Sequence, residues 1–297
     1  MTKSRELCYH TYDRRFICRM QMPVTEVSMI VDFHTHIFPD KIAKPTIEKL
    51  AEKGDIPPFA DGTVAGLLHA MEEAEVDLSV TLPVLTSPRQ FESVTRYAAE
   101  INQSFRDKEK RLLSFAGIHP QCEDIDAKMA FIKESGFLGV KIHPDYQDTY
   151  IDDAGYIEIL RAARQYDLIV VAHAGVDVAY RDQPTKCTPD RVLRLLDKVP
   201  YGKLVLAHCG AAGMFDEVAE KLCGADVYFD TGYVLRFVGK DMFSKIVEKH
   251  GADRILFGSD SPWSDIKNDV RILKSFQLGK DVEEKILCEN ARKLLGI

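Results

Sequence analysis

The chain has 297 residues, 45% hydrophobic and 29% charged, a composition that predicts an ordinary globular protein with a sizeable core. Its net charge of −7 excludes a general binder of nucleic acid or of anionic membrane, because both favour basic surfaces. Seven cysteines, odd in number and without a C-x-x-C pair, exclude a disulfide framework and a zinc knuckle and read as reduced thiols in a cytoplasmic protein.

Residues 1–28, "MTKSRELCYHTYDRRFICRMQMPVTEVS", are mildly basic and aperiodic and lack the apolar centre of a signal peptide. They read as a loosely ordered extension, and the working domain is expected over residues 29–297. From Met29 onward one pattern repeats: a short apolar or β-branched run, a loop, then a segment of helical periodicity. The runs are "MIVDFHTH" (29–36), "VDLSVTLPV" (76–84), "LLSFAGIHP" (112–120) and "GFLGVKIHP" (136–144), then "LIVVAHAG" (168–175), "KLVLAHCG" (203–210), "VYFDTGY" (227–233) and "RILFGSDSPW" (254–263). Helices are predicted between them, for example over 63–75, 93–108 and 189–199. None of the apolar runs approaches the roughly 18 residues that a membrane span requires.

Near-continuous apolar strands alternating with helices indicate a parallel sheet covered by helices, and a closed (β/α)8 barrel is the simplest such α/β arrangement. An open doubly wound sheet fits less well, since no G-x-G-x-x-G turn follows the first strand. Six of the nine histidines (His34, His36, His119, His143, His173 and His208) fall at or near the C-terminal ends of these strands. Those ends converge at one mouth of a barrel, where such enzymes place their chemistry. The remaining three, His10, His69 and His250, lie in the extension or on helices and are expected to face solvent.

His34 and His36 are two residues apart, so on a strand they project together and can chelate one cation. His173 offers a third ligand from the fifth strand, and Asp260, on the eighth strand beside the first, a carboxylate. His208 reaches either the metal or a substrate oxygen. Imidazole and carboxylate together suit a divalent ion, Zn2+ above all, with one position left open for water. Asp32 is expected as a buried hydrogen-bonding partner, and Cys209 is expected to face away from the site. Lys141 and His143 should both point inward from the fourth strand. The long loops after the first and fifth strands should set the substrate, with Phe38, Tyr146, Tyr180, Arg181 and Trp263 lining a pocket and Arg181 pairing with a substrate carboxylate.

Taken in order, "DFHTHIFP", "GVKIHPDYQ", "VVAHAG", "VLAHCG", "ILFGSDSPW" and "ENARKLLGI" resemble the amidohydrolase superfamily. The wording is most similar to its amidohydrolase-related branch, which includes the aminocarboxymuconate-semialdehyde decarboxylase group with its H-x-H-x-x-P first strand. The resemblance covers roughly residues 29–297. It implies His34, His36, His173 and Asp260 as metal ligands and His208 as a catalytic residue. Some relatives bridge two metals with a carbamylated lysine on the fourth strand. The branch resembled here typically holds one, which leaves Lys141 as a cation and His143 for substrate. The expected reaction is hydrolysis of a small ester, lactone or amide by metal-activated water, with Asp260 taking and returning the proton and His208 polarising the carbonyl. The alternative on the same site is non-oxidative decarboxylation of a small unsaturated or aromatic acid. A non-catalytic metal-binding barrel has no use for acid and base groups aimed at one water. The expected partners are a small-molecule substrate and a second copy in a homodimer.

Overall fold

The computed structural model describes residues 29–108 and 111–297, so the expectations for the extension and for His10 lie outside the described residues. Among the described residues, nine strand segments make eight parallel staves. They are β1 (Val31–Thr35), β2 (Leu78–Thr81), β3 (Arg111–Ser114), β4 (Ala116–Gly117), β5 (Gly139–Ile142), β6 (Ile169–Ala172), β7 (Leu204–Leu206), β8 (Tyr228–Asp230) and β9 (Ile255–Leu256). β3 and β4 are one stave interrupted at Phe115. The interruption has a side-chain cause: the amide of Asn102 takes both the N–H (2.6 Å) and the C=O (2.9 Å) of Ser114.

The strands pair in chain order, β1 to β2 to β3 and β4 through β9. The two sets join on both sides. Phe115 donates its N–H to Thr81 O at 3.0 Å, Phe33 donates to Phe257 O at 2.8 Å, and Asp260 donates to His34 O at 2.7 Å. The ring is therefore the closed (β/α)8 barrel that the repeat predicts. Its inside is packed by residues from opposite staves, among them Val31, Phe33, Leu78, Val80, Phe115, Val171, Val205 and Leu256. Phe33 and Phe115 meet edge to face at 5.9 Å. Gly139 makes room for this pair, since a Cβ there would lie 2.6 Å from the Phe115 ring. The last helix, α12 (Asn290–Leu295), adds Ala291, Leu294 and Leu295 to the same cluster. A second, larger cluster holds the helices against the outer faces of the strands.

The helices follow the sequence pattern closely: α2 covers Val64–Glu73, α3 Phe91–Phe105 and α6 Pro189–Lys198. The Thr63 hydroxyl accepts the Gly66 N–H at the start of α2, and Thr188 followed by Pro189 does the same work for α6. Among the described residues no helix is long and apolar enough to cross a membrane. The five described cysteines (Cys122, Cys187, Cys209, Cys223 and Cys288) are all free thiols.

His250 corrects one expectation. It ends helix α9 (Lys240–His250) and is buried, not solvent-facing. Its ring stacks on Phe229 at 3.8 Å, Nε2 donates to Val227 O at 3.1 Å, and Nδ1 accepts the Gly224 N–H at 3.2 Å. A helical surface position gave way to the chance of satisfying both ring nitrogens beside an aromatic face. His69, by contrast, is exposed as expected.

Burial pushes the His250 pKa down to about 4, whereas the unfolded chain takes up the same proton near pH 6.5. Between those values the unfolded state binds more protons, so stability falls as pH falls from about 6.5 towards 4. The expected loss from this residue is up to about 3 kcal/mol. Denaturant titrations of wild type and His250→Gln across pH 7.5 to 4.5 check this. The stability gap between them should narrow as pH falls, and parallel curves would refute it.

Candidate metal centre

The C-terminal ends of the staves form the mouth, and the strands carry their polar residues there. His34 lies within β1 and His36 just beyond it. Lys141 lies in β5, His143 follows it, His173 follows β6, His208 follows β7, and Asp230 ends β8. Asp260 sits on the turn after β9. The β1 register against β2 shifts between Asp32 and Thr35. Asp32 does not join the two histidines. Its carboxylate instead takes the Ser259 hydroxyl at 2.6 Å, the Ser259 N–H at 2.9 Å and the His34 N–H at 3.2 Å. It is thus the buried hydrogen-bonding partner that the sequence suggested, with burial raising its pKa to about 7.

His34, His36 and Asp260 converge. The two Nε2 atoms are 3.2 Å apart, and Asp260 Oδ1 lies 3.3 Å from His34 Nε2 and 3.0 Å from His36 Nε2. The tautomers follow from what the other ring nitrogens do. His34 Nδ1 lies 2.8 Å from the Asp230 carboxylate and His36 Nδ1 lies 2.8 Å from the Leu82 carbonyl; neither oxygen can donate, so both Nδ1 atoms carry hydrogen. Three lone-pair atoms then face one another across about 3 Å. Such an arrangement favours a positive charge close by, which the Lys141 ammonium supplies in part at 3.2 Å from His34 Nε2, and its donor set fits a divalent cation.

His208 and His173 form a second chain. His208 Nδ1 donates to Gly232 O at 2.8 Å, so its Nε2 accepts from His173 Nδ1, also at 2.8 Å. This leaves His173 Nε2 as a bare lone pair, buried and without a hydrogen-bond partner. It does not join the His34–His36–Asp260 group but stands 3.8 Å from the Asp177 carboxylate. His143 stacks on His173 at 4.0 Å, and its Nε2 lies 3.3 Å from the same Asp177 oxygen.

Burial dominates the electrostatics. It lowers the His34 pKa to about 4, assisted by the Lys141 charge, and drives those of His143 and His173 well below the usual histidine range. The buried Lys141 ammonium, 3.2 Å from His34 Nε2, is pushed down to about 8, with Asp230 and Asp260 opposing the shift. Burial raises the Asp260 carboxyl, but His34 and His36 beside it hold it down at about 2. Asp260 is therefore ionised at neutral pH.

The remaining expected residues are at the rim. Tyr146 meets His143 edge to face at 4.4 Å and Tyr180 at 5.1 Å. Trp263 follows Asp260 on the same turn, half-buried, its carbonyl accepting from Arg236 at 3.0 Å. Phe38 donates its N–H to Gly62 O. Arg181 is exposed, and its guanidinium goes to the carbonyls of Val178 and Gly54, at 3.0 and 2.8 Å. It ties two loops together instead of reaching into the site. His119 is buried, with its Nδ1 accepting the Gln121 N–H. The sequence reading missed Asp230 and Asp177. The first ends a strand before Thr-Gly and the second opens a turn by accepting the Ala179 N–H, so each reads as ordinary turn chemistry.

The amidohydrolase family model matches residues 31–297. No curated protein matches the chain by sequence. Among solved structures, 5-carboxyvanillate decarboxylase from Sphingomonas paucimobilis is 17% identical and aligns over 91% of this chain and 99% of its own, with a TM-score of 0.65. The 2,6-dihydroxybenzoate decarboxylase from Rhizobium is 17% identical over 91% and 99%, with a TM-score of 0.66. A dihydroxybenzoic acid decarboxylase from Polaromonas, solved with manganese and the inhibitor 2-nitroresorcinol, is 16% identical over 91% and 97%, with a TM-score of 0.67. At these identities the likeness speaks for the fold.

His34→Ala, His36→Ala and Asp260→Ala should each leave a folded protein with less than about a tenth of the wild-type metal affinity, given the weight of a single ligand. Elemental analysis after dialysis against a weak chelator reads this directly. Wild-type metal content in any of the three would remove that residue from the set, and the same assay on His173→Ala decides whether its lone pair belongs to it.

Proposed function

The chain belongs to the amidohydrolase family, and from that premise we propose that it is a metal-dependent, non-oxidative decarboxylase of a small hydroxylated aromatic or unsaturated carboxylic acid. The observation that carries the proposal is the cluster of three facing lone pairs, His34 Nε2, His36 Nε2 and Asp260 Oδ1, with the buried Lys141 ammonium beside it. A cation site next to a second fixed cation is built for an acid. The full-length likeness to decarboxylases of hydroxylated benzoates supports that reaction over hydrolysis, which reverses the order that the sequence alone suggested.

His34, His36 and Asp260 would hold the ion, with the bare His173 Nε2 as the fourth candidate. When bound, a divalent ion supplies a Lewis-acid anchor for the oxygens of the substrate. Zn2+ follows from the imidazole donors and Mn2+ is the ion of the Polaromonas relative, so both are tested. Lys141 neutralises the substrate carboxylate and holds it in a dry site. Asp260, ionised at rest, accepts the proton of a substrate hydroxyl. The bond from the ring carbon to the carboxyl then breaks, carbon dioxide leaves, and the electron pair stays on carbon. Asp260 returns the proton to that carbon, so atoms and charge balance. His208, anchored to Gly232 O and holding His173 in place, orients this wall of the site. The rim of Tyr146 and Tyr180 supplies flat apolar surface for a ring.

The test uses protein reloaded with Zn2+ or with Mn2+ and a panel of hydroxybenzoates. Carbon dioxide release, with one deuterium incorporated at the vacated carbon in heavy water, is the expected result. Asp260→Asn should lower it by about 100-fold or more, the worth of one positioned proton donor. No release from any acid, together with 18O uptake from water into a cleaved ester, lactone or amide, would establish hydrolysis instead.

A further inference from the structure

We propose that Asp230 is the positioning residue of the metal centre: its carboxylate fixes His34 in the tautomer whose Nε2 lone pair faces His36 and Asp260. The inference rests on the metal reading of the site. Asp230 is fully buried at the end of β8, next to the β9 stave that closes on β1. Its oxygens have three donors. Oδ2 accepts from His34 Nδ1 at 2.8 Å, while Oδ1 accepts the N–H groups of His208 at 3.0 Å and Gly232 at 2.9 Å. The His208 backbone is left-handed there, with φ of 63°, a conformation that a non-glycine residue adopts only where its surroundings hold it. One carboxylate thus sets the ring of a ligand histidine and the backbone that carries a catalytic one.

Asp230 could itself be counted as a ligand, because its oxygen, a His34 nitrogen and a His208 nitrogen lie within 4.8 Å of one another. The hydrogen bonds argue otherwise. Each oxygen is already engaged, and turning one towards a metal would release the His34 ring or the two amides. The packing around His34 is equally specific. A Cβ on Gly232 would lie 3.0 Å from His34 Nδ1, and one on Gly258 would lie 2.7 Å from its Cβ. His34 is therefore held in one rotamer, and only the placement of its proton remains to be decided. Asp230 decides it.

Asp230→Asn separates this role from a purely structural one. The asparagine Oδ1 can keep both backbone N–H groups, but its NH2 then faces His34 Nδ1. That nitrogen must become an acceptor, which moves the hydrogen to Nε2 and blocks the metal. The expected result is a 10- to 100-fold loss of Zn2+ affinity by competition with a chromophoric chelator. Nitrogen-15 spectra of the metal-free protein should show His34 protonated on Nδ1 in wild type and on Nε2 in the variant, with the signal assigned by its loss in His34→Gln. Wild-type affinity in a folded Asp230→Asn protein, with the tautomer unchanged, would overturn the proposal. Should the variant fail to fold, the wild-type spectrum alone decides, since an Nε2-protonated His34 there refutes it. If wild type binds no Zn2+, the metal reading fails, and the tautomer still tests the clamp.

Discussion

The structure depends on one constraint at the mouth: four imidazoles there each spend their ring N–H on a fixed acceptor, three of them on an oxygen that can only accept. His34 donates to Asp230, His36 to Leu82 O, His208 to Gly232 O and His173 to His208. His34, His36 and His173 therefore present lone pairs, and the lone pair of His208 holds His173. The oxygens that enforce this come from neighbouring staves, just beyond β2 and at or just beyond β8. Barrel closure does more than gather histidines in one place. It assigns each a tautomer before any ion arrives, so the ordering cost of binding a cation is met during folding.

The same ring of loops holds backbone in unusual conformations. His208, Cys209, Tyr233 and Asp260 all have positive φ, at 63°, 54°, 65° and 67°. Residues without glycine's freedom cost roughly 1–3 kcal/mol each in such places and persist only where the surroundings over-determine them. Here the determinants are visible: Cys209 N–H donates to Asp230 O at 2.6 Å, Tyr233 N–H to Ser259 O at 3.0 Å, and Asp260 N–H to His34 O at 2.7 Å. Each strained residue is pinned to the neighbouring stave by its own N–H. The barrel core offsets the strain, and the strain aims the side chains.

Much of this was legible in the sequence, and the reasons for the gaps are physical. Strands and helices were readable because a stave buried on both faces is a near-continuous apolar run, and such runs have little freedom to mean anything else. The positions of His34, His36, His143, His173, His208 and Asp260 were readable because strand ends are the one place in a barrel where buried imidazoles can converge. Asp230 was not, since its signal is a relation to His34, 196 residues away, and an aspartate before Thr-Gly is common in turns. Asp177 was hidden in the same way. Arg181 was read as a substrate contact because a long cation in a loop has many possible partners, and the nearest here are two carbonyls. His250 obeyed helical periodicity, but its fate was set by an aromatic ring on β8 that periodicity does not show.

The rim explains why chemistry was easier to read than substrate. Two loops meet over the mouth. The end of helix α1 (Asp40–Gly54) brings Lys53, whose ammonium lies 3.4 Å over the Tyr180 ring and 5.3 Å from that of Tyr146. Arg181 sews the two loops together through Gly54 O. Cation–π contacts at half-exposed sites are worth about 0.5–1 kcal/mol, enough to give the rim a preferred shape but not to lock it. The metal centre is over-determined by buried hydrogen bonds, so few sequences satisfy it and a pattern survives to be read. The rim is determined by a few exposed contacts that many sequences satisfy, so no comparable pattern is left in the sequence to read.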